Sequence, residues 1–122
     1  MTETPGISSR TLVEEFARRL RDNRRALLRT LALTDDELAT LEAHQAGATM
    51  EDATTETIGS MLSRLERRQR HELDEIENAL ARLEHGSFGV CESCGRGIPL
   101  ARLRAMPAAR HCLDCQKKAE TL

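Results

Sequence analysis

The sequence contains no Trp, no Tyr and only two Phe in 122 residues. Aromatic side chains supply much of the burial in a globular core, so a large core is excluded. No run approaches 18 apolar residues, which excludes a membrane-spanning helix. The opening MTETPGISSR lacks the apolar centre of a signal peptide, so the expected location is the cytoplasm. Phosphate-cradling Gly-rich loops and G-x-S-x-G elbows are missing. His71-Glu72 begins an H-E-x-x-H pattern, but Glu75 stands where the second His belongs. No catalytic constellation is visible, and an enzyme is not expected.

What the chain does have is helix-forming composition. Ala, Glu, Lys, Leu and Arg make up about half of it, the signature of long helices or coiled coil. The net charge of -2 conceals a strong pattern. Residues 9–33 carry seven Arg against three acids. Residues 34–57 carry seven acids (Asp35, Asp36, Glu37, Glu42, Glu51, Asp52 and Glu56) and no Lys or Arg. Residues 86–122 carry six bases against three acids. An acidic centre lies between more basic flanks.

Residues 1–8 are short, polar and interrupted by Pro5-Gly6, and read as a disordered lead. Ser9 can cap a helix. Val13, Phe16, Leu20, Leu27 and Leu31 then recur at a spacing of three or four, or seven across Asn23, and form one apolar stripe. Asn23 occupies the missing turn: buried, it would fix register; exposed, it would do nothing. Thr34-Asp35-Asp36-Glu37 matches a capping box, so the helix either restarts there or runs on through Leu38 and Leu41. A turn is placed over His44–Met50, around Gly47. The second helix is expected to begin between Thr49 and Thr55. Its stripe is Ile58, Leu62, Leu65, Leu73, Ile76, Leu80 and Leu83, with Gln69 standing where one more apolar residue belongs. Gly86 is its expected C-terminal cap. Two helices of roughly 30 residues, each about 45 Å long, should fold back antiparallel on each other. The turn then puts the acidic segment, near 46–56, at the far end of the hairpin.

The strongest signal follows. Cys91 and Cys94 form one C-x2-C pair, Cys112 and Cys115 another, with 17 residues between the pairs. Two thiolates from each pair complete a tetrahedron, which suits a structural Zn2+. Gly95 suits a tight knuckle around the first pair. Clustered thiols in a reducing compartment hold metal more often than they form disulfides. His111, beside Cys112, is a spare ligand candidate, weaker than the four thiols. Without metal a region this small has little to fold around.

These residues carry a family resemblance. Phe88, Gly89, Cys91, Glu92, Cys94, Gly95, Ile98, Pro99, Arg102, Leu103, Ala105, Pro107, Ala109, Cys112 and Cys115, after a helical hairpin, resemble the DksA/TraR-type zinc-finger proteins. The resemblance implies an all-α fold: a long antiparallel helical hairpin over 9–86, then a four-cysteine zinc finger with a short C-terminal helix over 87–122. It implies a bacterial transcription regulator that binds RNA polymerase, its coiled-coil tip entering the secondary channel, and no sequence-specific DNA binding. The family's tip motif, Asp-x-x-Asp-x-Ala, falls on Ala48, Glu51 and Ala53. Glu51, Asp52 and Ala53 are therefore the candidate polymerase tip, and Arg68 a further contact. Glu75 and Gln116 stand where better-known members use basic residues for ppGpp, so a ppGpp response is not expected.

Two other readings compete. A GATA-type DNA-binding finger shares the cysteine spacing, but only Lys117 and Lys118 follow the last Cys, and the acidic segment would repel phosphates. A stress or interaction protein on the same scaffold, without polymerase as partner, is favoured by the missing first Asp of the tip.

Overall fold

The computed structural model describes residues 6–47 and 53–121. The order is α1 (Arg10–Gly47), α2 (Ala53–His85), α3 (Leu100–Ala105) and α4 (Leu113–Glu120). Among the described residues the only β pairing is an isolated antiparallel bridge between Val90 and Gly97. The class is all-α, built on a long helical hairpin of α1 and α2. No helix among the described residues is long and apolar enough to cross a membrane.

Each boundary has a local cause. The Val13 N–H donates to the Ser9 carbonyl at 2.9 Å, so Ser9 holds the N-cap position. Helix α2 ends in a Schellman motif. The Ser87 N–H reaches back to the Arg82 carbonyl at 2.9 Å, and Gly86 N–H to Leu83 at 3.4 Å. Gly86 takes φ +78°, which glycine adopts without the Cβ penalty.

Two alternatives left open by the sequence are decided, and one placement changes. The capping box at Thr34 is not used: α1 runs on through it, and Thr34 Oγ1 donates to the Thr30 carbonyl, one turn back, at 3.0 Å. Continuing the apolar stripe outweighed restarting the helix. Of the turn expected over His44–Met50, residues 44–47 are helical instead, and residues 48–50 lie outside the described residues. Asn23 is exposed, so it does not set register.

The chain packs as two compact units, one of Arg24–Asp74 and one joining the segment up to Asn23 with Glu75 onward. In the Arg24–Asp74 unit the two helices are antiparallel. Arg70 pairs with Asp35 at 3.3 Å, and residues 38–42 face residues 59–67. Leu31, Thr34 and Gln69 are buried there, whereas Leu33, Ile58 and Met61 are exposed.

The other unit holds Phe16, Leu20, Ile76, Ala79, Phe88, Cys91, Ile98, Leu103 and Ala109 as its buried core. The Phe16 and Phe88 ring centroids lie 5.3 Å apart at 45°. The sequence's only two aromatics therefore meet, and Phe88 packs the cysteine region onto α1. Arg19 lies over the Phe16 ring, 5.8 Å from its centroid, and donates to the Arg104 carbonyl at the end of α3 at 2.7 Å. Gly6 and Ile7, expected in a disordered lead, pack against this core: the Ile7 N–H donates to the Phe88 carbonyl at 3.2 Å.

Candidate metal centre

Cys91 follows Phe88 by three residues and is 1% exposed. Its carbonyl accepts the Gly95 N–H at 2.9 Å, and its own N–H donates to the Arg96 carbonyl at 2.8 Å. The chain therefore doubles back between the first two cysteines and brings Cys94 beside Cys91. Gly95 makes this possible with φ +75°. The second pair comes from α4. Cys112 is its N-cap residue, and Cys115 lies in its first turn. A cap and a residue three positions on lie on the same side of a helix end.

The four Sγ atoms all lie within 4.8 Å of one another, and Cys94 and Cys112 are 3.9 Å apart. Four thiolates around one tetrahedral zinc at about 2.3 Å would be separated by about 3.8 Å. Donor set and spacing both fit such an ion. All four cysteines are free thiols rather than disulfides.

The electrostatics point the same way. Burial pushes the Cys91 thiol up, but backbone N–H groups of Cys112, Cys94 and Ser93, with a side-chain hydrogen bond to Cys94, bring it down to about 5. Hydrogen bonds with the Cys112 and Cys91 sulfurs, burial, and the charge of Cys112 push Cys115 up to about 12. The two shifts run in opposite directions because crowded sulfurs oppose one another's deprotonation. A divalent cation at the centre removes that conflict by neutralising the cluster.

Surrounding contacts that the sequence did not announce tie the two cysteine pairs together and to α2. The Glu92 N–H donates to the Arg110 carbonyl at 2.9 Å. Arg102 Nε donates to the His111 carbonyl at 2.9 Å, and His111 Nδ1 lies 3.2 Å from Ser93 Oγ. His111 is thus bonded to a serine on the opposite cysteine loop. Arg110 pairs with Glu75 at 3.4 Å and with Glu92 at 3.9 Å; Arg82 pairs with Glu92 at 3.8 Å. Glu92 stood in the motif, but nothing in the sequence marked Arg82 or Arg110 as its partners.

Glu51 and Asp52 lie outside the described residues, as does Ala48; Ala53 opens α2. Arg68 is exposed on α2.

The prokaryotic dksA/traR C4-type zinc-finger profile matches residues 86–120. The RNA polymerase-binding transcription factor DksA of Escherichia coli K12 is 33% identical over 120 residues, covering 98% of this chain and 74% of that protein. The chain belongs to the DksA/TraR zinc-finger family. A solved family structure, transcription factor DksA2 from Pseudomonas aeruginosa, superimposes with a TM-score of 0.80 at 29% identity, covering 93% of this chain and 86% of that one. An Aquifex aeolicus protein without an assigned role is 46% identical over 48 residues, and the chain spans only 33% of its length. The family likeness thus extends over both the helical hairpin and the cysteine cluster.

Proposed function

We propose that this chain is a DksA-like transcription regulator that binds RNA polymerase and is not an enzyme. The carrying observation is the 33% identity to a polymerase-binding factor along 98% of the chain. A short shared finger would leave the hairpin without support.

In this reading Cys91, Cys94, Cys112 and Cys115 hold one structural Zn2+. Four thiolates leave no open coordination position, so the ion organises the chain rather than activating water. Glu92 and Arg110, each next to or near a ligand, orient the two cysteine loops on Glu75 and Arg82 of α2. The hairpin end presents Glu51, Asp52 and Ala53 to the secondary channel of the polymerase, where negative charge suits a basic, metal-containing surroundings. Arg68, exposed on α2, makes a second contact. Glu75 is engaged with Arg110 and Gln116 donates to Glu120 at 3.1 Å, which supports a regulator that acts without ppGpp.

The deciding experiment is co-sedimentation of the full chain with purified RNA polymerase core, with and without a competitor for the secondary channel. Competable binding is expected. Glu51→Ala/Asp52→Ala should bind yet leave transcription from sensitive promoters unchanged by the protein. Full activity in that double variant would remove the tip assignment, and absence of binding would remove the whole reading. Ala48, in place of the family's first tip Asp, favours a second reading, the same scaffold with another protein partner. Capture of polymerase decides between the two.

A further inference from the structure

The residues just before α1 make an unusually close approach to the loop that carries Cys91. Gly6 has φ +99°, and a Cβ there would stand 2.7 Å from the Phe88 carbonyl oxygen and 3.0 Å from Val90 Cγ2. Gly89 has φ +85°, and its Cβ would stand 3.3 Å from Gly6 Cα and from Ile7. Two glycines therefore meet backbone to backbone, each in a conformation that side-chain-bearing residues avoid. The Ile7 N–H to Phe88 carbonyl bond fixes the register of this contact.

The contact falls at the base of the first cysteine loop. Gly89 accepts the Ile98 N–H at 2.7 Å, and Val90 bridges to Gly97, so residues 89–98 close as a small antiparallel loop with Cys91 and Cys94 inside it. A Cβ on Gly6 would meet Phe88 and Val90 on the segment entering that loop, and one on Gly97, in the segment leaving it, would stand 3.7 Å from Gly6 N. The same segment forms one wall of a cavity of about 300 Å3 whose floor includes Leu12, Ile98 and Leu103. Ile98 and Leu103 are otherwise buried, at 6% and 1% exposure. Lifting residues 6–8 would wet both and remove the packing that covers the base of the loop from outside, leaving it to its own internal bonds.

We infer that Gly6–Ile7 is a positioning strap for the metal centre, which holds the Cys91–Cys94 loop closed and slows the loss of zinc. None of the strap's atoms is a ligand; it acts through Phe88, Gly89 and Val90 on the loop that carries two of them. The inference rests on the zinc reading above. It adds a control point: whatever pulls on the segment before α1 shortens the lifetime of the ion.

The test is the rate at which zinc passes from the loaded full chain to the chromogenic chelator 4-(2-pyridylazo)resorcinol. Gly6→Val and Gly89→Ala should release zinc about tenfold faster than wild type, the size typical of losing an outer-shell support. Ile7→Ala, which keeps both glycines and the backbone bond, should release it faster by a smaller factor and serves if Gly6→Val does not fold. Gly86→Ala is the control, since it carries a comparable φ with nothing within 4 Å of the added Cβ, and it should release at the wild-type rate. The cobalt-substituted spectra of all four should keep the four-thiolate signature, because the ligands are unchanged. Equal release rates throughout overturn the strap, as does acceleration by Gly86→Ala equal to that by Gly6→Val, which would make the effect general strain. A wild-type chain that takes up no zinc overturns the metal reading and the strap with it.

Discussion

Helices α1 and α2 each run through both packing units, yet the two units are held by different chemistry. Where the unit of Arg24–Asp74 buries Leu31, Thr34 and Gln69, the other buries two phenylalanines, two leucines, two isoleucines and Cys91. The first unit is a two-helix seam with polar side chains set into it. The second has cross-links from every direction: an aromatic pair, a guanidinium over a ring, ion pairs from α2 to the cysteine loops, and four clustered thiols. One helical pair can therefore be built firm toward the two ends of the sequence and spare in the middle, and the difference lies in what a few positions contribute.

The largest break in the comparison comes from the metal. Zinc binding in small four-ligand sites supplies about 10–16 kcal/mol of apparent folding energy. Chelation should therefore abolish amide protection at Cys91, Glu92 and Ile98, whose N–H groups bond within the cysteine region. Amides of α2 between Ser63 and Asp74 should keep measurable protection. Hydrogen exchange with and without chelator reads both. Near-native protection at Ile98 after complete zinc removal would mean that the core of that unit stands without metal.

Next come the core anchors. Phe16→Ala should cost about 3–5 kcal/mol, because it removes a fully buried ring and its partner contact with Phe88. Leu31→Ala should cost less, at the lower end of the range of about 2–5 kcal/mol for buried aliphatics. Denaturant melts followed by residue-resolved exchange should place the first loss around Phe88 and Leu103 and the second around Gln69. Equal losses in both places for Phe16→Ala would show that the two units melt as one.

Much of this was legible in the sequence. The stripes at Val13–Leu31 and Ile58–Leu83 placed both helices, because burial on one side of a helix leaves a 3.6-residue period, although Ile58 and Leu65 of the second stripe are exposed. Gly86 marked the end of α2, and the C-x2-C pairs marked the thiol cluster. Thr34-Asp35-Asp36-Glu37 left the course of α1 open, because local capping chemistry says nothing of the packing that carries the helix through it. The docking of Gly6 and Ile7 was hidden for the opposite reason. A Pro-Gly lead looks unstructured unless its partner, Gly89, is known to lie across from it. The ion pairs of Arg82 and Arg110 were equally silent, since charges far apart in sequence do not announce their partners.

Sharpening the comparison further, Gln69→Leu should stabilise the Arg24–Asp74 unit. Gln69 is 5% exposed, and its Oε1 has no hydrogen-bond partner. A buried unsatisfied carbonyl costs about 1–3 kcal/mol, and an apolar side chain of similar volume removes that cost. The variant should raise the denaturation midpoint and increase protection near residue 69, without altering protection at Ile98. A destabilised Gln69→Leu would show that the amide has a bonding role that its burial conceals.

The smallest expected effect lies on the surface of the same unit. Arg70 donates to Glu66 at 2.6 Å and to Asp35 at 3.3 Å, so it links α1 to α2. The hydrogen bond and charge of Glu66, then Asp35, raise its proton affinity further. Arginine is charged throughout the accessible range in any case, so the shift brings no pH dependence. Both ends of the cross-helix pair are about half exposed, at 55% and 45%. Water and salt screen such a pair, and ordering two long side chains offsets most of what remains. Arg70→Gln should therefore leave the denaturation midpoint almost unmoved, and high salt should leave the wild type and the variant indistinguishable. A large loss in Arg70→Gln, persisting in high salt, would show that this unit relies on a surface ion pair where the other relies on a core. The contrast between them would then be wider than burial alone indicates.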